Sequence, residues 1–218
     1  MKTHSKTIGK YTLGAIAGTL LLLANTACTQ ICGTCPDKCA QQTKSACGNA
    51  PQVMKKLEIG MQAPAVTLKA KTENGIESVP VTRSVGTRRT VLLFVPFAFS
   101  GTCSTEVCTL SDTLHVYDSL NADVIVVSVD QPFAQEAWKR KEGFSLTLLS
   151  DFNREAMRAY GVEDKRFRPG VLDFCGVAKR SAFIIGIDGK IKYAWVSDDP
   201  AIMPPFDEIR QTLQAGAE

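Results

Sequence analysis

Continuous apolar runs alternate in this sequence with segments of helical periodicity, and this alternation constrains the fold most strongly. The runs Thr90–Val95 and Ala122–Val129 are apolar at nearly every position, as expected of strands buried in a sheet. Helical patterns follow them, at 103–120 and at 135–141. Buried strands alternating with helices predict an α/β fold, in which helices flank a central mixed β-sheet.

Weaker patterns predict the remaining elements. They comprise a hairpin tip at 73–75, a short strand at 146–149, a helix at 154–160, strands at 181–187 and 190–196 around Asp188-Gly189, and a final helix at 206–213. The terminal hairpin and helix extend the same sheet and cover it.

Charge argues against one class of function. The net charge of +3 comes from Lys2, Lys6 and Lys10, since the rest of the chain carries 22 basic and 22 acidic residues. No basic stripe is visible, so we expect no nucleic-acid partner. With 44% hydrophobic residues in 218, the chain can build a substantial core.

The N-terminal segment, residues 1–27, has the pattern of an export signal. Its basic start precedes the apolar run Tyr11–Ala24, whose 14 residues are fewer than the roughly 20 that span a bilayer as a helix. The small residues Thr26 and Ala27 then precede Cys28, as in a bacterial lipoprotein signal, although Asn25 is unusual there. We therefore expect an exported bacterial protein, either periplasmic or anchored to the membrane by lipid on Cys28.

A cysteine-rich connector, residues 28–56, separates this signal from the globular domain, 57–218. It contains Cys28, Cys32, Cys35, Cys39 and Cys47. In an exported protein, disulfides are the first expectation. A zinc or iron–sulfur site and an accessory redox role remain open alternatives.

The loop Pro96–Thr102 joins a predicted buried strand to a helix and places Cys103 at or near the first helical turn. Unpaired backbone N–H groups and the helix dipole favour an anion there, and the thiolate is the reactive form of cysteine. Taken alone, Cys103 is better explained as a buried structural thiol, which is the commonest state of a single cysteine.

Pro96, Ser100 and Cys103 have the spacing of the peroxiredoxin motif Pro-x-x-x-Thr/Ser-x-x-Cys, and residues 57–215 resemble that family, also called AhpC/TSA, over nearly their whole length. The other matching elements are Gly60-x-x-Ala63-Pro64, Leu149-Ser150-Asp151 and Arg180 before a predicted strand. Segments 99–103 and 193–200 resemble the single-Cys alkyl hydroperoxidase type, and 103–108 the bacterioferritin-comigratory type.

The resemblance implies a thioredoxin-like fold and a thiol peroxidase without metal or other cofactor. Cys103 is then the nucleophile that attacks the peroxide and becomes a sulfenic acid. Ser100 hydrogen-bonds peroxide and sulfur, and Arg180 polarises the O–O bond and stabilises the thiolate. Pro96 shields the sulfur from water, and Glu106 helps to position Arg180.

A second thiol is expected to resolve the sulfenic acid as a disulfide. Cys108 is the first choice and Cys175, in a glycine-flanked loop, is the alternative. In an intact helix, Cys103 and Cys108 are about 8 Å apart along the axis, beyond the roughly 7 Å that a disulfide usually spans between Cα atoms. Resolution by Cys108 therefore requires the start of the helix to unwind.

The resemblance also implies partners: a peroxide substrate, a thioredoxin-like or low-molecular-weight thiol reductant, and a monomeric or homodimeric state. Two other functions compete. A thiol–disulfide oxidoreductase of the same fold normally has CxxC at this junction, whereas four residues separate Cys103 from Cys108. A non-enzymatic Cys-rich surface lipoprotein explains the connector but leaves Pro96, Ser100 and Arg180 without a role.

Overall fold

The computed structural model describes residues 57–216, which belong to the second of two units of the chain, Cys47–Glu218. The predicted signal, the connector and Cys28 lie outside these residues. The described strands are β1 Thr67–Thr72, β2 Gly75–Pro80, β3 Arg89–Phe94, β4 Ala122–Ser128, β5 Thr147–Ser150, β6 Glu163–Asp164, β7 Val177–Ala178, β8 Ser181–Ile185 and β9 Ile191–Val196. The described helices are α1 Gly101–Asp112, α2 Leu114–Ser119, α3 Pro132–Glu142, α4 Glu155–Ala159 and α5 Phe206–Ala215.

Seven strands form one mixed sheet in the order β2-β1-β5-β4-β3-β8-β9. β3, β4 and β5 run parallel, whereas β8 is antiparallel to β3 and to β9. Phe94 at the end of β3 is paired with Val127 on one side and with Ser181 on the other. The ends of β3, β4, β5 and β9 and the start of β8 therefore meet at one edge of the sheet, called here the C-terminal edge.

Strand β3 lies at the centre of the core because all six of its residues are buried. Successive side chains of a strand point to opposite faces. Leu92 and Phe94 accordingly pack in one cluster with Met157 of α4, and Val91 and Leu93 pack in another with residues of α1, α3 and α5. This layered arrangement is the thioredoxin-like fold and confirms the predicted α/β class.

The predicted helix over 103–120 is wrong as a single helix. It ends at Asp112, and α2 begins after Thr113, whose backbone lies at φ −104° and ψ 12°. The Thr113 hydroxyl donates to the Thr109 carbonyl at 2.7 Å, a local bond that competes with continued helix. The two-stranded β6–β7 sheet was not predicted, since strands of two residues leave no periodicity to detect. None of the helices among residues 57–216 is long and apolar enough to cross a membrane.

Candidate active site

The loop after β3 is held in place by the neighbouring strand. The Val95 N–H donates to the Val127 carbonyl at 2.9 Å, and buried Pro96 follows. Three residues after Val95, the Ala98 N–H donates to the Asp130 carboxylate at 2.7 Å. Phe99 then adopts the left-handed conformation, with φ 61°, which is uncommon for a residue with a side chain. Asp130, just beyond the end of β4, therefore fixes the path of the chain into α1.

Cys103 is the third residue of α1 and is completely buried. Ser100 precedes the helix in extended conformation, and its carbonyl accepts the Ser104 N–H at 2.8 Å. The Ser100 hydroxyl makes no capping hydrogen bond. The sulfur thus lies in the first helical turn, as predicted, and half-buried Ser100 stands at the start of the same helix.

Arg180 lies immediately before β8 and is also buried. Its Nη2 lies 3.5 Å from the Cys103 sulfur, and its Nη1 makes an ion pair with Glu106, one helical turn after Cys103. Nε and Nη2 also donate to the Pro200 carbonyl, at 3.1 and 2.9 Å. These contacts use every edge of the planar guanidinium, so its orientation toward the sulfur is fixed.

Burial and pairing act on the two charged groups in opposite directions. Burial raises the pKa of Glu106 to about 7, although the Arg180 guanidinium opposes the shift. One Glu106 oxygen has no hydrogen-bond partner, which adds to the cost of its charge. For Arg180, burial disfavours the charged form, but the Glu106 carboxylate and the Cys103 sulfur outweigh it and raise its pKa. Arg180 therefore stays protonated next to the sulfur, whereas Glu106, its carboxylate partner, titrates near neutrality.

The two candidate resolving thiols differ in state. Cys108 is a free, half-buried thiol on α1, whereas Cys175 is disulfide-bonded. Burial raises the pKa of Cys108, and the carboxylates of Glu142 and Asp112 raise it further. The loop that carries Cys175 packs on the active-site loop, because the Phe97 ring contacts Phe167 and Phe174 edge-on with centroids 5.3 and 5.7 Å away.

Three residues of the site were not identified from the sequence. Asp130 follows a buried strand next to β3, so its position at the C-terminal edge was open to prediction from topology. Trp138 donates its indole N–H to the Ser104 hydroxyl at 3.0 Å, and Pro200 binds Arg180 through its backbone. Neither contact has a sequence signal, because each joins distant segments.

Exposed apolar side chains surround the site. Nine of the thirteen large hydrophobic residues exposed in the described part of the chain lie in or beside loops of the C-terminal edge, and we call them the apolar rim. They are Phe99, Phe133, Phe152, Val171, Leu172, Phe174, Val196, Ile202 and Met203. A cavity of about 390 Å³ is lined by Pro200 and by basic and acidic side chains, which are Arg166, Arg168, Lys179, Asp164, Asp198 and Asp199. Within residues 57–216, no three His, Cys, Asp or Glu side chains are grouped to hold a metal ion.

A buried cysteine in the first turn of a helix, facing a buried arginine, defines a cysteine-based member of the thioredoxin-like fold. The family model described as the AhpC/TSA family matches residues 59–194, more than half of the chain, and the protein belongs to this peroxiredoxin family. The motif and Arg180 lie inside the matched range.

Curated relatives and solved structures agree with this assignment. The chain is 37% identical over 131 residues to the mitochondrial thioredoxin-dependent peroxide reductase of Mus musculus, covering 57% of this chain and 46% of that protein. It is 29% identical over 164 residues to the chloroplastic 2-Cys peroxiredoxin BAS1 of Spinacia oleracea, covering 72% and 58% respectively. The chain thus spans about half the length of these relatives.

Among solved structures, Mycobacterium bovis AhpC is 26% identical and superposes with a TM-score of 0.62, covering 74% of this chain and 93% of that one. The reduced 2-Cys peroxiredoxin of Plasmodium vivax is 25% identical with a TM-score of 0.61, covering 72% and 80%. The likeness extends over most of the described domain.

Proposed function

We propose that this protein is a thiol-dependent peroxidase that reduces hydrogen peroxide and organic hydroperoxides through Cys103. One observation carries the proposal: the Arg180 guanidinium lies 3.5 Å from the Cys103 sulfur while it is fixed by Glu106 and Pro200. A cation oriented in advance at a buried sulfur stabilises both the attacking thiolate and the charge that develops on the peroxide. Membership of the AhpC/TSA family supports the same activity.

In the proposed reaction, the Cys103 thiolate attacks one peroxide oxygen and the O–O bond breaks. The sulfur is oxidised by two electrons to sulfenic acid, and the second oxygen leaves as water or an alcohol after it takes up a proton. Ser100 offers a hydroxyl with no capping hydrogen bond at the start of α1, where it can donate to the peroxide. Pro96, buried before the loop, limits the access of water to the sulfur.

We infer that Cys108 resolves the sulfenic acid. Its thiol is free and lies on the same helix as Cys103, whereas Cys175 is already disulfide-bonded. The Cys108 sulfur attacks the Cys103 sulfur, the S–S bond forms, the S–O bond breaks, and water leaves. Cys175 remains the alternative if its disulfide is reduced first.

The resulting disulfide needs a reductant. The mouse relative is named for its dependence on thioredoxin, which favours a thioredoxin-like reductant over a low-molecular-weight thiol. Export, which the pattern of residues 1–27 favours, requires that this reductant act outside the cytoplasm. Metabolic labelling with a lipid precursor tests whether Cys28 carries the anchor, and an unlabelled mature protein that begins elsewhere contradicts it.

The thiol–disulfide oxidoreductase alternative meets an obstacle at Glu106. A CxxC pair starting at Cys103 would place its second cysteine at this position, three residues later. Glu106 is instead buried and ion-paired with Arg180. The position is thus occupied by the group that helps to hold the cation.

Stopped-flow oxidation of the reduced protein tests the proposal. We expect Cys103 to be oxidised by hydrogen peroxide orders of magnitude faster than an ordinary thiol, with the product assigned to Cys103 by mass spectrometry. The Cys103→Ser variant should lose turnover, while Cys108→Ser should retain the first oxidation. Slow oxidation of Cys103, or full turnover by Cys103→Ser, contradicts the proposal.

A further inference from the structure

Helix α3 holds the turn of α1 that carries the reactive sulfur. The Trp138 indole N–H donates to the hydroxyl of Ser104, the residue after Cys103, at 3.0 Å. The indole is completely buried, and the Phe144 ring packs edge-on against it with centroids 4.9 Å apart. A donor fixed in this way restrains its acceptor, and hence the backbone next to Cys103.

The first turns of helix α1, which carry Cys103, have few of the local interactions that stabilise a helix. It has no side-chain N-cap and no acidic residue in its first turn, two features that usually stabilise a helix start. The hydroxyls of Thr105 and Thr109 donate to the carbonyls four residues earlier, at 3.1 and 2.8 Å. Such bonds back to the helix weaken it slightly and favour bending. The stretch from Cys103 to Cys108 therefore depends on contacts from other elements.

Besides the packing of Val107 in the core, two polar contacts from other elements reach the stretch, and they respond differently to oxidation. Arg180 binds Glu106 and lies near the Cys103 sulfur. When the thiolate becomes a neutral sulfenic acid, Arg180 loses one of its two anionic partners. The bond between Trp138 and Ser104 joins two neutral groups, so it keeps its strength after the sulfur has reacted.

We propose that Trp138, acting through Ser104, is a positioning residue that sets the rate at which oxidised Cys103 is resolved. The bond keeps the first turn of α1 wound while the peroxide reacts. It must then break before Cys108 can approach, because a wound helix holds the two cysteines about 8 Å apart along its axis. Until it is resolved, the sulfenic acid can react with a second peroxide: the O–O bond breaks, one oxygen is transferred to the sulfur to give a sulfinic acid, and the other leaves as water or an alcohol. The inference rests on the proposed peroxidase function and on Cys108 as the resolving thiol.

Quenched-flow mass spectrometry after one equivalent of hydrogen peroxide separates the two steps. Loss of the Cys103 thiol reports the first step, and appearance of the Cys103–Cys108 disulfide reports the second. In Ser104→Ala and in Trp138→Phe, we expect the second step to accelerate about three- to tenfold, the effect of one lost hydrogen bond. The first step should stay within about threefold of the original rate, and sulfinic acid formed in excess peroxide should decrease.

Matched variants distinguish this role from general loosening. Ser104→Thr keeps the hydroxyl and should behave like the unchanged protein. Ser111→Ala removes another hydroxyl of α1, which accepts the Ser145 N–H at 3.0 Å beyond Cys108, and should not accelerate resolution. The double variant Ser104→Ala/Trp138→Phe should match the single variants, because both remove the same bond.

The outcomes separate this inference from the proposed function. An unchanged or slower second step in Ser104→Ala and Trp138→Phe, with the first step intact, overturns the inference and leaves the peroxidase standing. A disulfide between Cys103 and a thiol other than Cys108 does the same. Slow oxidation of Cys103 in the unchanged protein overturns the peroxidase, and the inference with it.

Discussion

At the scale of single residues, the ion pair between Glu106 and Arg180 lowers stability through desolvation but orients Arg180 toward the Cys103 sulfur. Both side chains are buried, and one Glu106 oxygen has no hydrogen-bond partner. A buried ion pair is seldom a net source of stability, because removing two charges from water offsets their attraction. We attribute its presence here to the orientation of Arg180, whose Nη2 must point at the Cys103 sulfur.

The cost makes stability depend on pH in a specific direction. Burial raises the pKa of Glu106 to about 7 in the folded protein, above its ordinary value of 4.5. Between these values the folded state holds a proton that the unfolded state releases, so the free energy of unfolding falls as the pH rises from about 5 to about 7. The slope is at most about 1.4 kcal/mol per pH unit.

Glu106→Gln should remove this slope, as measured by urea unfolding of the reduced protein between pH 5 and pH 7.5. Glu155→Gln, on the exposed start of α4, is the control and should retain it. Stability that rises with pH over this window, or an unchanged slope in Glu106→Gln, contradicts the assignment.

At the scale of helices and strands, the sequence predicted what local pattern determines. The apolar runs located β3 and β4 to within one residue, because strands buried on both faces are apolar at most positions. The break at Thr113 was missed because the apolar stripe continues across it from α1 into α2. Periodicity records which face is buried, whereas a helix end depends on single backbone bonds.

The residues of the site also divide into those that the local pattern predicts and those that it does not. Cys103 at a helix start followed from the pattern alone, but Arg180, 77 residues later, entered only through the resemblance to peroxiredoxins. Nothing in its local sequence distinguishes it from an exposed cation before a strand. Trp138 had neither signal, since its partner is a hydroxyl on a distant element. Pro200 lies in segment 193–200, which carries part of the resemblance, but nothing in that segment marks its carbonyl as a partner of Arg180.

Arg89 joins three elements and carries a prediction at this scale. The buried guanidinium, at the start of β3, donates to the carbonyls of Leu120 after α2 and Leu213 in the last turn of α5. No carboxylate pairs with Arg89 among the described residues, so the carbonyl ends of the two helices are its counter-charge. Removing this cation leaves two helix ends without a donor.

Two hydrogen bonds from a charged donor contribute about 3–6 kcal/mol, and Arg89→Met also removes the desolvation cost of a buried charge, which offsets part of this loss. We therefore expect Arg89→Met to lower the free energy of unfolding by about 2–4 kcal/mol. Urea unfolding measures the loss. Arg88→Met is the matched control: its half-exposed side chain pairs with Asp118 and Asp123, and the cost should stay near 1 kcal/mol. Equal losses in the two variants would show that Arg89 has no special role.

At the scale of the whole molecule, the sheet topology explains why loops from several strands lie at the edge of the sheet where the buried sulfur is found. The parallel strands β3, β4 and β5 end at the C-terminal edge, and the antiparallel β8 begins there. Cys103 follows the loop at the end of β3 and is completely buried, so in the proposed peroxidase a substrate is expected to approach between the loops of this edge. These loops carry the apolar rim, which a substrate with an apolar chain can contact and hydrogen peroxide cannot.

This arrangement predicts that substituting a residue of the apolar rim lowers kcat/KM for a peroxide with an apolar group more than it lowers kcat/KM for hydrogen peroxide. Leu172→Ser removes an exposed rim side chain that makes none of the described ring contacts. We expect kcat/KM for cumene hydroperoxide to fall about tenfold, the usual effect of losing one good apolar contact in the transition state. The value for hydrogen peroxide, which is too small to use that contact, should stay within about twofold. Ile76→Ser, equally exposed on β2 outside the rim, should change neither. A parallel loss for both peroxides in Leu172→Ser would mean that the rim supports the loop instead of contacting the substrate.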